Sequence, residues 1–189
     1  FAFELGLVGD EMTFDTAAGP VGARRLKEGV YSLSMQLPSV YEEMTIQLGS
    51  SQYQGAYVEL GDPGVPHFCL EVEEQLDRDK LRELAKGLRY HQAFPKGSNI
   101  NFYHLGDKVH VLTYERGVED FTLACGSGVT SAAYHLVEKG CFEDTLDLLV
   151  PGGELRVDVL GKNPIRELHL IGPVEKVYQA EYLANRVST

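Results

Sequence analysis

The sequence predicts an α+β fold, on three observations. About ten short runs read as strands, by period-two alternation or by short apolar stretches between turn residues. Two stretches carry a helical stripe. The two kinds of element do not alternate as strand–helix–strand units, and no phosphate-cradling glycine motif opens a helix. The expected architecture is a sheet whose strands wrap around a helix. With 189 residues, 43% of them hydrophobic, the chain can bury one large core or two small ones.

Each element has a local reason. Phe1-Ala2-Phe3-Glu4-Leu5-Gly6-Leu7 reads as the tail of a helix ending near Gly6. It has no basic lead and carries Glu4, so it does not read as a signal peptide. A start there without Met is expected of a fragment or a processed piece. Residues 12–16 and 21–26 flank Ala17-Ala18-Gly19-Pro20 and predict a hairpin. Residues 30–37 alternate as a strand, which Pro38 is expected to close. Ser50, Ser51, Gln52 and Gln54 are expected in a loop. Residues 56–60 and 66–72 predict strands on either side of Gly61-Asp62-Pro63-Gly64.

Residues 78–88 place Leu81, Leu84, Ala85 and Leu88 on one helical face, with Asp77 as the cap. Residues 99–104 and 108–115 are strands joined at Gly106-Asp107. The second helix is predicted over 125–139, with Val129, Ala132, Ala133, Leu136 and Val137 as its stripe and Gly140 beyond its end. Residues 146–150, 154–160, 165–171 and 176–182 complete a strand-rich end.

A net charge of −11 argues against nucleic acid and anionic membranes as partners. An anionic substrate then needs a local device to hold it. No apolar run is long enough to span a bilayer. Cys69, Cys125 and Cys141 form neither a disulfide framework nor a metal-ligand spacing, so no metal is expected. The default location is a reducing cytoplasm.

Cys125 stands out because Gly126-Ser127-Gly128 follows it at the start of a predicted helix. A thiol there meets the positive end of the helix dipole and unpaired backbone N–H groups, a setting expected to lower its pKa and to hold a carboxylate. Two glycines in a first turn cost about 1 kcal/mol each. They make sense where backbone approaches a ligand, or simply as a glycine-rich turn that starts a helix. Glu115 and Arg116 end a strand just before this helix; they suit an ammonium and a carboxylate, or a surface ion pair. His67 follows a proline and reads as structural or as a partner that tunes a thiol. Asn99 and Asn101 share one strand face, for backbone pairing or for a ligand. His91, His104, His110, His135 and His169 read as structural. The Gly126-Ser127-Gly128 run lacks the glycine register of a serine nucleophile elbow.

These motifs converge. Tyr114-Glu115-Arg116-Gly117-Val118-Glu119-Asp120, then Thr122-Leu123-Ala124-Cys125-Gly126-Ser127-Gly128, resembles the C-terminal signature of diaminopimelate epimerase. Gly64-Val65-Pro66-His67, Gly97-Ser98-Asn99-Ile100-Asn101-Phe102, Pro151-Gly152-Gly153 and Asp15-Thr16-Ala17-Ala18-Gly19 resemble further segments of that family, in the same order. The resemblance covers nearly the whole chain.

It implies a cofactor-independent isomerase, working without PLP, that converts LL-diaminopimelate to meso-diaminopimelate for lysine and peptidoglycan synthesis. Two cysteines act on opposite faces of the α-carbon. The implied fold is two similar lobes, each a curved, mostly antiparallel sheet around a central helix. Cys125 would be the second-lobe proton acceptor and donor. Gly126 and Ser127 would offer N–H groups to the α-carboxylate. Glu115 and Arg116 would hold the distal end of the substrate, and Asn99 its carboxylate. His67 and Glu115 would tune the thiols. The implied division is residues 1–38 as a remnant of the first lobe, 39–173 as the second lobe, and 174–189 as a strand returning to the first. The family often forms homodimers.

Two departures bear on this reading. The first-lobe cysteine motif is absent, so the chain resembles an epimerase lacking about 80 residues, inactive alone and completed by the missing lobe or a complementary chain. Val65 stands where the family usually has asparagine, removing a hydrogen bond worth about 1–2 kcal/mol. A racemase of another amino acid, for example histidine, and a non-catalytic binding lobe are the alternative readings.

Overall fold

The computed structural model describes residues 1–16, 19–73, 76–161 and 164–180. The first strands are β1 (Glu11–Thr16), β2 (Gly19–Lys27) and β3 (Val30–Met35). Then come β4 (Pro38–Leu48), β5 (Ser51–Leu60) and β6 (Val65–Glu71), and the helix α1 (Arg78–Arg89). Next are β7 (Asn99–Leu105), β8 (Val109–Glu115), the short β9 (Asp120–Phe121) and the helix α2 (Gly126–Glu138). The chain continues with β10 (Thr145–Val150), β11 (Gly153–Leu160) and β12 (Glu167–Pro173).

Among the described residues all strands belong to one 12-stranded sheet in the order β1-β2-β3-β12-β11-β10-β8-β7-β6-β5-β4, with β9 on the side of β8. Most neighbours are antiparallel; β6–β7 and β8–β10 are parallel. The result is the α+β class expected, as an open mixed sheet. The segment from β3 to β12 closes through long-range pairing, with Leu33 opposite Leu170.

The hairpin of residues 12–26, the strand from residue 30, both helices and the strands at 99–115 and 146–171 form essentially as expected. Asp77 caps α1 by accepting from the Asp79 and Lys80 amides. Three expectations fail. Pro38 does not end the strand region but opens β4, whose Tyr41, Met44 and Ile46 pair across to Val58, Gly55 and Tyr53. Ser51, Gln52 and Gln54 lie in β5 rather than in a loop. Their side chains are polar because that end of the hairpin is exposed, while the ladder binds through the backbone. Residues 174–180 form no strand, and 181–182, the rest of that expected strand, lie outside the described residues. Residues 1–7 make one helical turn, with the Leu5 amide donating to the Phe1 carbonyl, and Gly6 takes a left-handed φ of 68°.

The sheet carries helices on both faces. One face of β5–β8, through Ala56, Val58, Cys69, Tyr103 and Val111, packs with Val129, Ala132 and Leu136 of α2. The other, through Phe68, Leu70, Ile100 and Phe102, packs with Ala85 and Leu88 of α1. This double burial explains why Phe68-Cys69-Leu70 is an unbroken apolar run. The first two turns of α2 carry only small side chains apart from Val129, so the helix lies close against the strands. At Gly128 a β-carbon would come within 2.3 Å of Asn101 Oδ1. At Gly126 it would come within 2.8 Å of Leu170. Both glycines are therefore required by the close packing of α2 on the sheet.

Leu136 is fully buried at this contact, whereas Leu123 is 65% exposed in the loop before the helix. Leu136→Ala should lower the unfolding free energy by about 2–5 kcal/mol, and Leu123→Ala by less than about 0.5 kcal/mol. Urea denaturation followed by circular dichroism measures both.

Candidate active site

Cys125 is placed by a short relay of turns. β8 ends at Glu115, and a turn reverses the chain with Gly117 at φ 90° and Glu119 at φ 58°. The Glu119 carboxylate holds that turn, accepting from the Gly117 amide at 3.0 Å and from Arg89 of α1 at 2.9 and 3.2 Å. Arg82 of α1 reaches Asp120 at 2.6 Å. β9 then folds back on β8, and the Thr122 amide donates to the Thr113 carbonyl at 3.1 Å. From the other side the Gly152 amide, in the Pro151-Gly152-Gly153 turn, donates to the Leu123 carbonyl at 2.7 Å. Cys125 therefore arrives in extended backbone, φ −128° and ψ 106°, as the N-cap of α2.

Around the sulfur the structure assembles a row of polar groups. Cys125 Sγ lies 3.6 Å from Ser127 Oγ. Ser127 Oγ lies 3.0 Å from His67 Nε2. His67 Nδ1 lies 3.1 Å from Asn101 Nδ2, and Asn101 Oδ1 accepts from Thr113 Oγ1 at 2.9 Å. His67 and Asn101 are fully buried. They face α2 from adjacent parallel strands, in a register that sets His67 beside Asn99 and Cys69 beside Asn101.

The electrostatics correct the expected activation of Cys125. Its thiol pKa is raised, chiefly by burial, with the Glu115 carboxylate adding to the rise. The Ser127 hydroxyl and the Gly128 amide act the other way. Desolvation outweighs these two donors here. The sulfur makes no side-chain cap hydrogen bond to the helix start. His67 is held neutral, with burial pushing its pKa down to about 3, so it offers the thiol no cationic partner. Cys69 is buried and its thiol is pushed up too.

The remaining expected residues gather at the same end of the sheet. Asn99 ties two loops together: its Nδ2 donates to the Pro66 carbonyl at 3.1 Å and its Oδ1 accepts from the Arg116 amide at 2.8 Å. The Glu115 carboxylate accepts from Thr122 Oγ1 at 2.5 Å. The exposed Arg116 guanidinium donates to the Lys96 carbonyl at 2.8 Å. Glu115 and Arg116 thus take separate partners instead of pairing with each other. Thr113 and Thr122 were not anticipated. Thr113 shares the inward face of β8 with Val109 and Val111 and sits directly opposite Asn101, a placement set by strand register and not by any local motif. Among the described residues no cluster of His, Cys, Asp or Glu is placed to hold a metal ion, and no helix is long and apolar enough to cross a membrane.

The fold is shared with solved structures of phenazine-biosynthesis type. A putative phenazine biosynthesis PhzC/PhzF protein from Clostridium difficile superposes with a TM-score of 0.59 at 13% identity, covering 97% of this chain and 69% of that one. A Bacillus anthracis phenazine biosynthesis protein of the PhzF family gives 0.61 at 11% identity, over 91% and 69% of the two chains. These likenesses define the class of fold alone.

The family is given by sequence: the diaminopimelate epimerase pattern matches residues 61–177, and the chain belongs to that family. It is 36% identical to the diaminopimelate epimerase of Aquifex aeolicus over 186 residues, 95% of this chain and 64% of that protein. It is 33% identical to that of Methanothrix thermoacetophila over 174 residues, 88% and 62% of the two. The chain thus spans under two thirds of the length of these curated relatives.

A raised thiol pKa has a direct readout. In a Cys141→Ser background, the rate of Cys125 alkylation by iodoacetamide should rise with a midpoint above the ordinary thiol value of 9.0. Glu115→Gln removes one cause of the rise, so its midpoint should fall and alkylation at pH 8 should quicken. A midpoint below that of a free thiol, or one unmoved by Glu115→Gln, contradicts the electrostatics described.

Proposed function

We propose that this chain carries the Cys125 half of a cofactor-independent diaminopimelate epimerase, inverting the α-carbon of LL-diaminopimelate to the meso form. The observation that carries the reading is Cys125 at the N-terminus of α2 beside His67, Ser127 and Glu115, within the span matched by the family pattern. The A. aeolicus and M. thermoacetophila relatives, named as diaminopimelate epimerases, support the substrate.

The chemistry follows from the site. An α-hydrogen between an ammonium and a carboxylate is very weakly acidic, and with no cofactor to take up electrons the carbanion depends on aimed donors in a dry site. The amides of Gly126 and Ser127 at the start of α2 hold the α-carboxylate. Arg116 and Asn99 receive the distal carboxylate, and Glu115 the distal ammonium. The Cys125 thiolate takes the α-proton and becomes a thiol, leaving the electron pair on carbon. A second acid on the opposite face gives its proton to that carbon, so the configuration inverts. Run in reverse, Cys125 is the donor. The raised thiol pKa is compatible with this cycle, since a thiolate formed in a substrate-filled site is a stronger base than an ordinary one.

Neither other cysteine suits the second role. Cys69 is buried beneath α2, and Cys141 lies beyond its far end, roughly 20 Å away at 1.5 Å per residue. The second acid belongs to a further lobe or a complementary chain. Residues 1–38 and 174–189 are assigned to that first lobe and residues 39–173 to the second, whose sheet wraps α2. The grouping of 1–38 with 174–189 is supported by an apolar groove of about 780 Å³ that Met12, Phe14, Ala23 and Leu33 line together with Val174, Val177 and Tyr178. One observation favours a racemase with a different side-chain pocket: Val65, 39% exposed, offers an apolar surface where an amide would bind a polar substrate end.

The test is solvent deuterium incorporation by the intact enzyme with its complementary lobe. LL-diaminopimelate should gain deuterium at the α-carbon, and Cys125→Ala should lower the rate by about 100-fold or more. Undiminished exchange in Cys125→Ala overturns the role of the thiol. A strong preference for a monocarboxylic amino acid such as histidine overturns the substrate.

A further inference from the structure

We propose that Thr113, Asn101, His67 and Ser127 form a one-way hydrogen-bond chain that aims a hydroxyl hydrogen at Cys125 Sγ, with Thr113 and Asn101 as positioning residues that choose the tautomer of His67. The proposal rests on the reading of Cys125 as the proton-transfer group and assigns a task to residues that do not reach the substrate.

The direction of the chain follows from what each atom can do. Thr113 Oγ1 lies 2.9 Å from Asn101 Oδ1, so its hydroxyl donates and the amide oxygen is turned toward β8. That turns Asn101 Nδ2 toward His67 Nδ1 at 3.1 Å. An amide nitrogen only donates, so Nδ1 must accept and carries no hydrogen. A neutral imidazole then has its single hydrogen on Nε2, which donates to Ser127 Oγ at 3.0 Å. The serine oxygen, already accepting, has its own hydrogen to give, and Cys125 Sγ lies 3.6 Å away.

Two further contacts fix the same polarity. Gly128 presents its Cα to Asn101 Oδ1, at the place where a β-carbon would come within 2.3 Å. A Cα hydrogen there suits an oxygen and not an amide N–H. Cys69 Sγ lies 3.6 Å from Asn101 Nδ2 and takes its second hydrogen. Thr113 is 4% exposed and His67 and Asn101 are fully buried, so solvent does not reset the chain.

The alternative polarity has a different signature. With the amide reversed, its oxygen would accept from Nδ1–H, Nε2 would accept from the Ser127 hydroxyl, and the sulfur would lose its hydroxyl donor. The tautomer of His67 therefore reports the direction of the whole chain. The titratable groups facing this assembly are Glu115 from β8 and Cys69 from β6 toward the sulfur, with Arg116 beyond β8 acting on His67; the variants below leave all three in place.

Nitrogen-15 NMR of the histidine ring in the unmodified protein should show His67 as the Nε2–H tautomer at neutral pH. Thr113→Val should admit the Nδ1–H form and raise the midpoint of Cys125 alkylation by about one pH unit, and Thr113→Ser should restore both. Ser127→Ala should raise the midpoint while His67 stays Nε2–H. An Nδ1–H tautomer in the unmodified protein overturns the proposal without any variant. A Thr113→Val protein with unchanged tautomer and midpoint overturns the role of Thr113. Neither readout involves substrate. Failure of α-carbon exchange with the chain intact therefore counts against the epimerase reading, and a reversed chain in an active enzyme counts against this one.

Discussion

The close seat of α2 on the sheet is the contact on which the site depends. Its first turns are built from glycine, serine, threonine and alanine, apart from Val129, and Gly128 lies directly over Asn101 and Thr113. A side chain at that position would lift the helix from the strands. With the helix seated, Ser127 comes within hydrogen-bond distance of His67, and Cys125 projects from the helix end next to Glu115. One steric fact at one glycine thus sets the distances among four polar side chains drawn from three strands and a helix.

The same seat explains why the thiol is not activated in the manner a helix N-terminus suggests. Close packing excludes water from the space under the first turn, and loss of hydration disfavours the thiolate more than the Ser127 hydroxyl and the Gly128 amide favour it. His67 answers to the same constraint: burial strips its charge and leaves a neutral ring that passes on hydrogen-bond direction and not positive potential. A site organised like this releases little basicity while the thiol stays desolvated.

The elements that follow from local rules were legible in the sequence. The Asp77 cap, the stripe of α2 and the alternation of β3 each rest on neighbours a few residues apart. The strand β4 was not legible, because a proline at its start and scattered acidic residues hide a hairpin held by backbone pairing and by Met44 and Ile46. In the site, Cys125, His67 and Ser127 were recognisable from motifs, and they do meet. Thr113 was not: a lone threonine in a strand carries no motif, and its importance comes from the register that sets it opposite Asn101. The sign of the Cys125 shift was also out of reach, since it depends on how much water the finished packing excludes.

The pairing of β3 with β12 joins residues near the two ends of the described chain, Leu33 with Leu170 and Val30 with Pro173. Such contacts repay the entropy of closing a very long loop only once almost everything between them has been made. During synthesis the β1–β3 hairpins therefore leave the ribosome long before their partner strand exists, with an apolar face and an open edge. The segment from β4 to β11, whose pairings span shorter stretches of chain, can organise first around its two helices. Assembly order is then the reverse of chain order for these strands: β1–β3 are made before β4–β11 and meet β12 after them.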